Sequence, residues 1–263
     1  MWKFDIHLGF RSDKDYILKF TPGCSNTWKN IEYVDIDDVD YNVILQKPTL
    51  CLKNSIHFRR EPQCHQRTSP WTEPVNSLYN FDYTTKDRFH AATWHIEKTY
   101  DELINMKYQP ENLVSVVVSH IYPWRVKYVK HVKNCYEDLH MTGRITGKTI
   151  SVKERGDVLQ QSKMSICIEN SAQENYFTEK IVDCLLSWTL PLYWGCPNIH
   201  EFFPQDSYRL IDINNPEQIL DTINKPITST EIDAMEAARK LILNKYNIWN
   251  CIHTIINKQI VAS

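Results

Sequence analysis

Residues 164–197 read MSICIENSAQENYFTEKIVDCLLSWTLPLYWGCP, and the rest of the chain is organised around them. An apolar run, Ser165 to Ile168, leads into a polar loop from Glu169 to Phe177. An amphipathic run from Thr178 to Trp188 follows, then a second apolar run from Leu190 to Trp194. The pattern predicts strand, loop, helix and strand. A parallel β-α-β unit of this kind delivers its loop to the carboxyl edge of a sheet, where open α/β folds bind ligands. Ile181, Val182, Leu185 and Leu186 recur at helical spacing, and Thr178 reads as the N-cap that sets Glu179 and Lys180 in the first turn. A first turn with unused backbone N–H groups and a lysine predicts an anion site, most naturally for phosphate. Glu169 closes an apolar strand, where a carboxylate either takes a structural partner or faces a ligand. The reading favours the ligand, with Asn170 and Tyr176 beside it. Glu179 suits ribose or sugar hydroxyls, although a first-turn glutamate is also favoured by the helix dipole alone.

Outward from this unit, Leu113 to Val118 is a continuous apolar run with β-branched residues, the pattern of a strand buried on both faces. It turns at Ser119 towards Arg125, where a helical pattern runs to Cys135; Arg125 could grip two phosphate oxygens at once. Gly143 to Lys148 lacks the spacing of a P-loop and reads as a glycine turn after a short strand. Towards the N-terminus, strands are predicted over 2–10, within 33–45 and over 51–60, the last running into Glu61. The acidic cluster at Asp35, Asp37, Asp38 and Asp40 precedes an apolar run and reads as a cap or turn, not a metal site. Residues 63–94 are rich in proline, hydroxyl and aromatic side chains, which suits either a sugar acceptor or a small aromatic core. A helix over 98–109 and Pro110 place a domain boundary there, giving an N-terminal α/β domain of residues 1–108 and a C-terminal Rossmann-like domain of residues 109–263, whose last helix is expected to pack back on the N-terminal domain. Beyond the central unit, a strand at 208–212, a helix opened by Asn214-Asn215-Pro216 and a last long helix from Thr230 to about Tyr246 complete the pattern.

At 263 residues and 42% hydrophobic content the chain can bury substantial cores, and a formal net charge of −2 gives no electrostatic reason to expect nucleic acid or an anionic membrane. No stretch approaches a membrane span, and charges interrupt the N-terminus too early for a signal peptide. Eight dispersed cysteines without CxxC spacing read as free thiols of a reducing compartment.

Glu169-Asn170-Ser171, Tyr176, Thr178-Glu179-Lys180 and Pro191-Leu-Tyr-Trp-Gly-Cys-Pro197, in that order and spacing, resemble the donor-binding motif of the α1,3-fucosyltransferase family. Ile168 departs from it, standing where the family usually has an aromatic residue. The resemblance implies a GT-B architecture, with two Rossmann-like domains facing across a cleft, the acceptor in the N-terminal half and the nucleotide sugar in the C-terminal half. It also implies inverting, metal-independent transfer of L-fucose from GDP-fucose to a glycan hydroxyl. On this reading Arg125, Glu169, Asn170, Tyr176, Thr178, Glu179 and Lys180 bind the donor, and Glu61 is the catalytic base, with Arg59-Arg60 in place of the family's small residues. No cofactor or metal is implied beyond the donor itself. Lacking the anchor and stem of animal members, the chain is more similar to soluble bacterial or viral forms acting in the cytoplasm. Two alternatives stay open: the same scaffold with another donor such as UDP-xylose, or a glycan-binding protein without catalysis.

Overall fold

The computed structural model describes residues 1–8, 14–36, 38–45, 52–58, 77–81 and 91–262. Glu61 with Arg59-Arg60, Asp37 of the acidic cluster and most of the 63–94 segment lie outside the described residues.

The N-terminal half builds one sheet from β1 (Trp2–Leu8), β2 (Thr27–Trp28), β3 (Ile31–Tyr33), β4 (Tyr41–Leu45), β5 (Ser55–Phe58) and β6 (Ser77–Phe81), in the order β2-β3-β1-β4-β5-β6. All its pairings are parallel except the β2–β3 hairpin. The alternation read over Trp2 to Leu8 puts Phe4 and Ile6 into the core, both fully buried.

A connector through Trp94 leads to α1 (Tyr100–Asn105), opened by a capping box between Thr99 and Glu102. The second half then alternates β7 (Leu113–Val118), α2 (Pro123–Cys135), β8 (His140–Gly143), α3 (Val152–Gln161), β9 (Ser162–Ile168), α4 (Glu179–Leu186), β10 (Leu190–Trp194) and β11 (Arg209–Leu210). Its sheet is parallel throughout, in the order β11-β10-β9-β7-β8. Two parallel α/β sheets in succession meet the predicted fold class. The short runs at the heart of this sheet, Val114 to Val118 (except the half-buried Val117) and Met164 to Ile168, are buried, as strands covered on both faces are.

Several elements differ from the sequence reading: α1 is half the length of the helix expected over 98–109, and α3 is not anticipated by the pattern. The helix opened by Asn214-Asn215-Pro216 is only a 3-10 turn, Pro216–Gln218, before the short α5 (Ile219–Asn224), and Asn215 makes no side-chain cap. The capping box of α6 (Ser229–Lys240) is Thr228 with Glu231, two residues ahead of the expected Thr230 and Asp233. Arg209 fixes Glu231 there through Nε–Oε1 and Nη2–Oε2 contacts of 2.7 and 2.9 Å. Finally, the chain does not end its helices at Tyr246: α7 (Ile248–Ala262) follows a π-helical turn at Leu241–Lys245.

α7 returns to the N-terminal sheet. Trp249 is fully buried, stands edge-on to Phe4 with centroids 5.1 Å apart, and donates from Nε1 to the Ile17 carbonyl at 2.9 Å. α6 meanwhile secures the far end of α4. The buried guanidinium of Arg239 donates to the Leu185 carbonyl at 3.2 Å and lies over the Trp188 ring, so a cation caps the helix end that carries negative partial charge. Among the described residues no helix is long and apolar enough to cross a membrane.

Candidate functional site

Because the second sheet is parallel, the loops after β7, β8, β9 and β10 all leave from one edge. Glu169 follows β9 directly and is fully buried. Its Oε1 accepts the Thr178 N–H at 2.8 Å, and its Oε2 accepts the Thr178 hydroxyl at 2.7 Å and the Lys180 ammonium at 3.3 Å. The carboxylate therefore sits at the start of α4 where an external anion was expected. The open anion site predicted there is corrected on this point: the chain's own glutamate fills it, because β9 delivers Glu169 beneath the first turn. Burial raises the Glu169 pKa, and Glu179 pushes the same way, against Lys180 and the two Thr178 bonds. Lys180 loses hydration on burial, but Glu179 and Glu169 outweigh that loss and hold it charged, with its pKa raised.

Thr178 is the N-cap of α4, as predicted. Its hydroxyl donates to Glu169 and accepts from Lys180 N at 3.4 Å and Lys180 Nζ at 2.9 Å. Glu179 reaches Lys180 at 3.4 Å.

Arg125 enters from the first turn of α2. Its Nη2 donates to the Glu169 carbonyl at 2.7 Å and to Asn170 Oδ1 at 2.9 Å, and its Nη1 to the His120 carbonyl at 3.2 Å. Both cations thus hold one residue, Arg125 by the backbone of Glu169 and Lys180 by its side chain. The Arg125 guanidinium carbon lies 5.0 Å from the Tyr122 ring centre and 5.2 Å from that of Trp124. Trp124 in turn meets Trp194, at the end of β10, with centroids 5.3 Å apart. The nitrogen Nε of Arg125 has no hydrogen-bond partner among the described residues.

The glycines of this edge have specific work. A Cβ on Gly195 would lie 2.5 Å from Glu169 Cγ, so the Trp-Gly-Cys segment passes the glutamate with no room for a side chain. Gly143 has φ +87°, and a Cβ there would stand 2.6 Å from the Val118 carbonyl oxygen.

Of the residues singled out by sequence, Arg125, Glu169, Asn170, Thr178, Glu179 and Lys180 converge in one cluster. Tyr176 is fully buried beneath it, next to Phe177, which packs against Phe202, Phe203 and Tyr246. Glu61 lies outside the described residues. Sequence reasoning passed over Asn198, whose Oδ1 accepts the Asn175 N–H at 2.8 Å and whose Nδ2 donates to Asn175 Oδ1 at 2.9 Å. That clamp holds Asn175 at a left-handed φ of 62° and so shapes the loop between Asn170 and Tyr176. An Asn after Cys-Pro was the available signal.

Residues 108–229 match the sequence profile described as glycosyltransferase family 10 (fucosyltransferase), C-terminal part. Those residues are similar to that family. The α-(1,3)-fucosyltransferase FucT of Helicobacter pylori is 36% identical over 74 residues, which are 28% of this chain and 16% of that protein. The human 4-galactosyl-N-acetylglucosaminide 3-α-L-fucosyltransferase 9 is 30% identical over 114 residues, 41% of this chain and 32% of that protein. The chain's matched part thus spans a third or less of the curated relatives' lengths. A solved α1,3-fucosyltransferase with GDP-fucose superposes with a TM-score of 0.45 at 18% identity, over 92% of this chain and 90% of that one. The profile match covers the whole cluster, from Arg125 to Cys196.

Proposed function

We propose that the protein is an inverting fucosyltransferase that moves L-fucose from GDP-fucose to a hydroxyl of a glycan acceptor. The observation that carries this reading is the convergence of Arg125 and Lys180 on Glu169, inside the segment that matches the fucosyltransferase profile. In such a transfer a base takes the acceptor hydroxyl's proton and the hydroxyl oxygen attacks the anomeric carbon. The bond from that carbon to the β-phosphate oxygen breaks, and GDP leaves with the electron pair.

Arg125 and Lys180 supply positive charge for the departing diphosphate without a metal ion. Because Glu169 occupies the start of α4, the phosphates are expected over the β7–α2 junction, flanked by Lys180. Glu179 and Asn170 are assigned to donor hydroxyls, and Tyr176 and Thr178 to the floor that holds them. Glu61, beyond β5, is assigned as the base on sequence alone. Residues 1–108 take the acceptor and 109–263 the donor, with α7 returning to the acceptor half. A cytoplasmic location goes with this reading.

The test is thermal stabilisation of the protein by GDP, GDP-fucose, UDP and UDP sugars with EDTA present, since a ligand bound only to the folded state raises its melting temperature. Stabilisation by the guanosine ligands alone is the expected result. A response to UDP sugars instead would overturn the donor assignment, and a response lost in EDTA would overturn the metal-free site.

A further inference from the structure

A second polar chain runs beneath the donor cluster and ends in the other half of the protein. Asp183, on α4 one turn below Glu179, is buried; its Oδ1 accepts the His95 N–H at 2.8 Å. Arg155 of α3 approaches Asp183 Oδ2 at 3.7 Å through Nη1 and donates to the Ser119 hydroxyl at 2.8 Å through Nη2. Ser119 precedes His120, whose carbonyl accepts from Arg125.

His95 belongs to the connector between the two halves, and that connector is fastened to the N-terminal half. Trp94 stacks edge-on to Phe20 at 4.4 Å, Tyr16 donates to the Trp94 carbonyl at 3.1 Å, and Lys19 to the Ile96 carbonyl at 3.0 Å. α3 lies close on the same segment, since a Cβ on Gly156 would meet Ile96 at 3.4 Å.

We propose that Arg155 and Asp183 are positioning residues that tie the connector to the Ser119–Arg125 loop, so that the guanidinium of Arg125 is set for the diphosphate by contacts with the N-terminal half. This inference rests on the donor reading above. Arg155 contacts both Ser119 and Asp183, and Asp183 contacts both Arg155 and the connector. The charged groups facing Asp183 are Arg155 from α3, Glu179 from its own helix and Lys19 from the N-terminal half, with the backbone N–H of His95 from the connector. Burial pushes its carboxyl up to about 7, with Glu179 adding to the effect and Arg155, the His95 bond and Lys19 opposing it. The attraction between Asp183 and Arg155 therefore strengthens as pH rises through neutrality.

The experiment is calorimetric titration of wild type, Arg155→Gln, Ser119→Ala, the double variant and Asp183→Asn with GDP, on both sides of neutral pH. Arg155→Gln and Ser119→Ala are each expected to weaken GDP binding by about three- to thirty-fold, and the double variant by no more than the worse single one. Wild-type affinity should rise with pH through about 7, and Asp183→Asn, which keeps an oxygen for the His95 N–H, should lose that rise. Additive losses, or an unchanged pH profile in Asp183→Asn, would overturn the proposal. If wild type binds no GDP, the donor reading fails on its own. The linkage is then judged by hydrogen exchange in the ligand-free protein: faster exchange at Ser119, His120 and Tyr122 in Arg155→Gln sustains it, and unchanged exchange overturns it.

Discussion

Two helices start at the same edge of the second sheet, and they are finished differently. α4 begins closed: Thr178 caps it, Glu169 takes the Thr178 N–H and hydroxyl, and Lys180 folds back onto both. α2 begins with Tyr122 at the N-cap and Pro123 behind it, without a side-chain cap, and with Arg125 spread between carbonyls, an amide oxygen and two aromatic rings. One junction contains its own anion; the other holds a buried guanidinium among carbonyls and aromatic rings, with no acidic side chain bonded to it among the described residues. A helix start is an anion site only where the chain has not already filled it. Under the proposed function, the β9–α4 motif would contribute a preassembled floor and the β7–α2 junction the side facing the leaving group.

The largest effect expected from this difference is at Glu169. Glu169→Ala removes the internal anion and leaves Lys180 and the Thr178 N–H facing an empty, buried space. A loss of about 3–5 kcal/mol in denaturant unfolding is expected, as when one member of a buried pair is removed. Glu169→Gln keeps the shape and sharpens the point. With a folded pKa raised above the unfolded value, Glu169 favours the folded state most at low pH, and that contribution is lost as pH rises through the folded value. The Gln variant should lack this decline in a stability–pH series; a slope equal to wild type would assign it elsewhere. Next in size, Lys180→Ala should cut turnover by about a hundred- to a thousand-fold, the cost of one preorganised charge on developing negative charge. Arg125→Lys should not restore function to that junction, because one ammonium cannot serve three acceptors placed around a planar fork. Equal kinetics for Arg125→Lys and wild type would break the contrast. Gly195→Ala should then cost about 1–3 kcal/mol by overpacking against Glu169, measurable as a lowered melting temperature.

Much of this was legible in the sequence, for reasons that differ by residue. The β9–α4–β10 unit is local: period-two and period-3.6 patterns follow one another within thirty-odd residues, and Thr178 announces the helix start. What periodicity cannot give is which partner a buried polar group finds. The sequence does not show Glu169 turned inward, because Thr178 and Lys180 are nine and eleven residues away and reach it only once the loop has closed. Arg155 and Asp183 went unnoticed because their contacts, to Ser119 and His95, span 36 and 88 residues. That the last helix packs back on the N-terminal half is expected from the sequence, but its separate start is hidden for a different reason. The π-helical turn at Leu241–Lys245 and the bend after it break the helical period, so a separate helix packed on the N-terminal sheet merged into the end of the one before.

The smallest prediction tests the closed junction most finely. Thr178 does three things with one hydroxyl: it donates to Glu169 at 2.7 Å, accepts the Lys180 ammonium at 2.9 Å and accepts the Lys180 backbone N–H at 3.4 Å. One proton and two lone pairs are all a hydroxyl has, so the group is saturated. The long backbone contact means that conventional capping is the weakest of the three, and the bond to buried Glu169 the strongest. Thr178→Ser keeps every bond and should leave stability and GDP affinity near wild type. Thr178→Ala should cost about 1 kcal/mol, the usual value for a lost cap or a lost hydrogen bond. In the Glu169→Gln background the two explanations part. If Thr178 acts mainly as a helix cap, its removal costs the same there as in wild type; if it acts mainly by holding the glutamate's charge, the cost shrinks in the double variant. The distances favour shrinkage, and an undiminished cost in the double-variant cycle would show that α4 closes by ordinary capping, with the glutamate a separate matter.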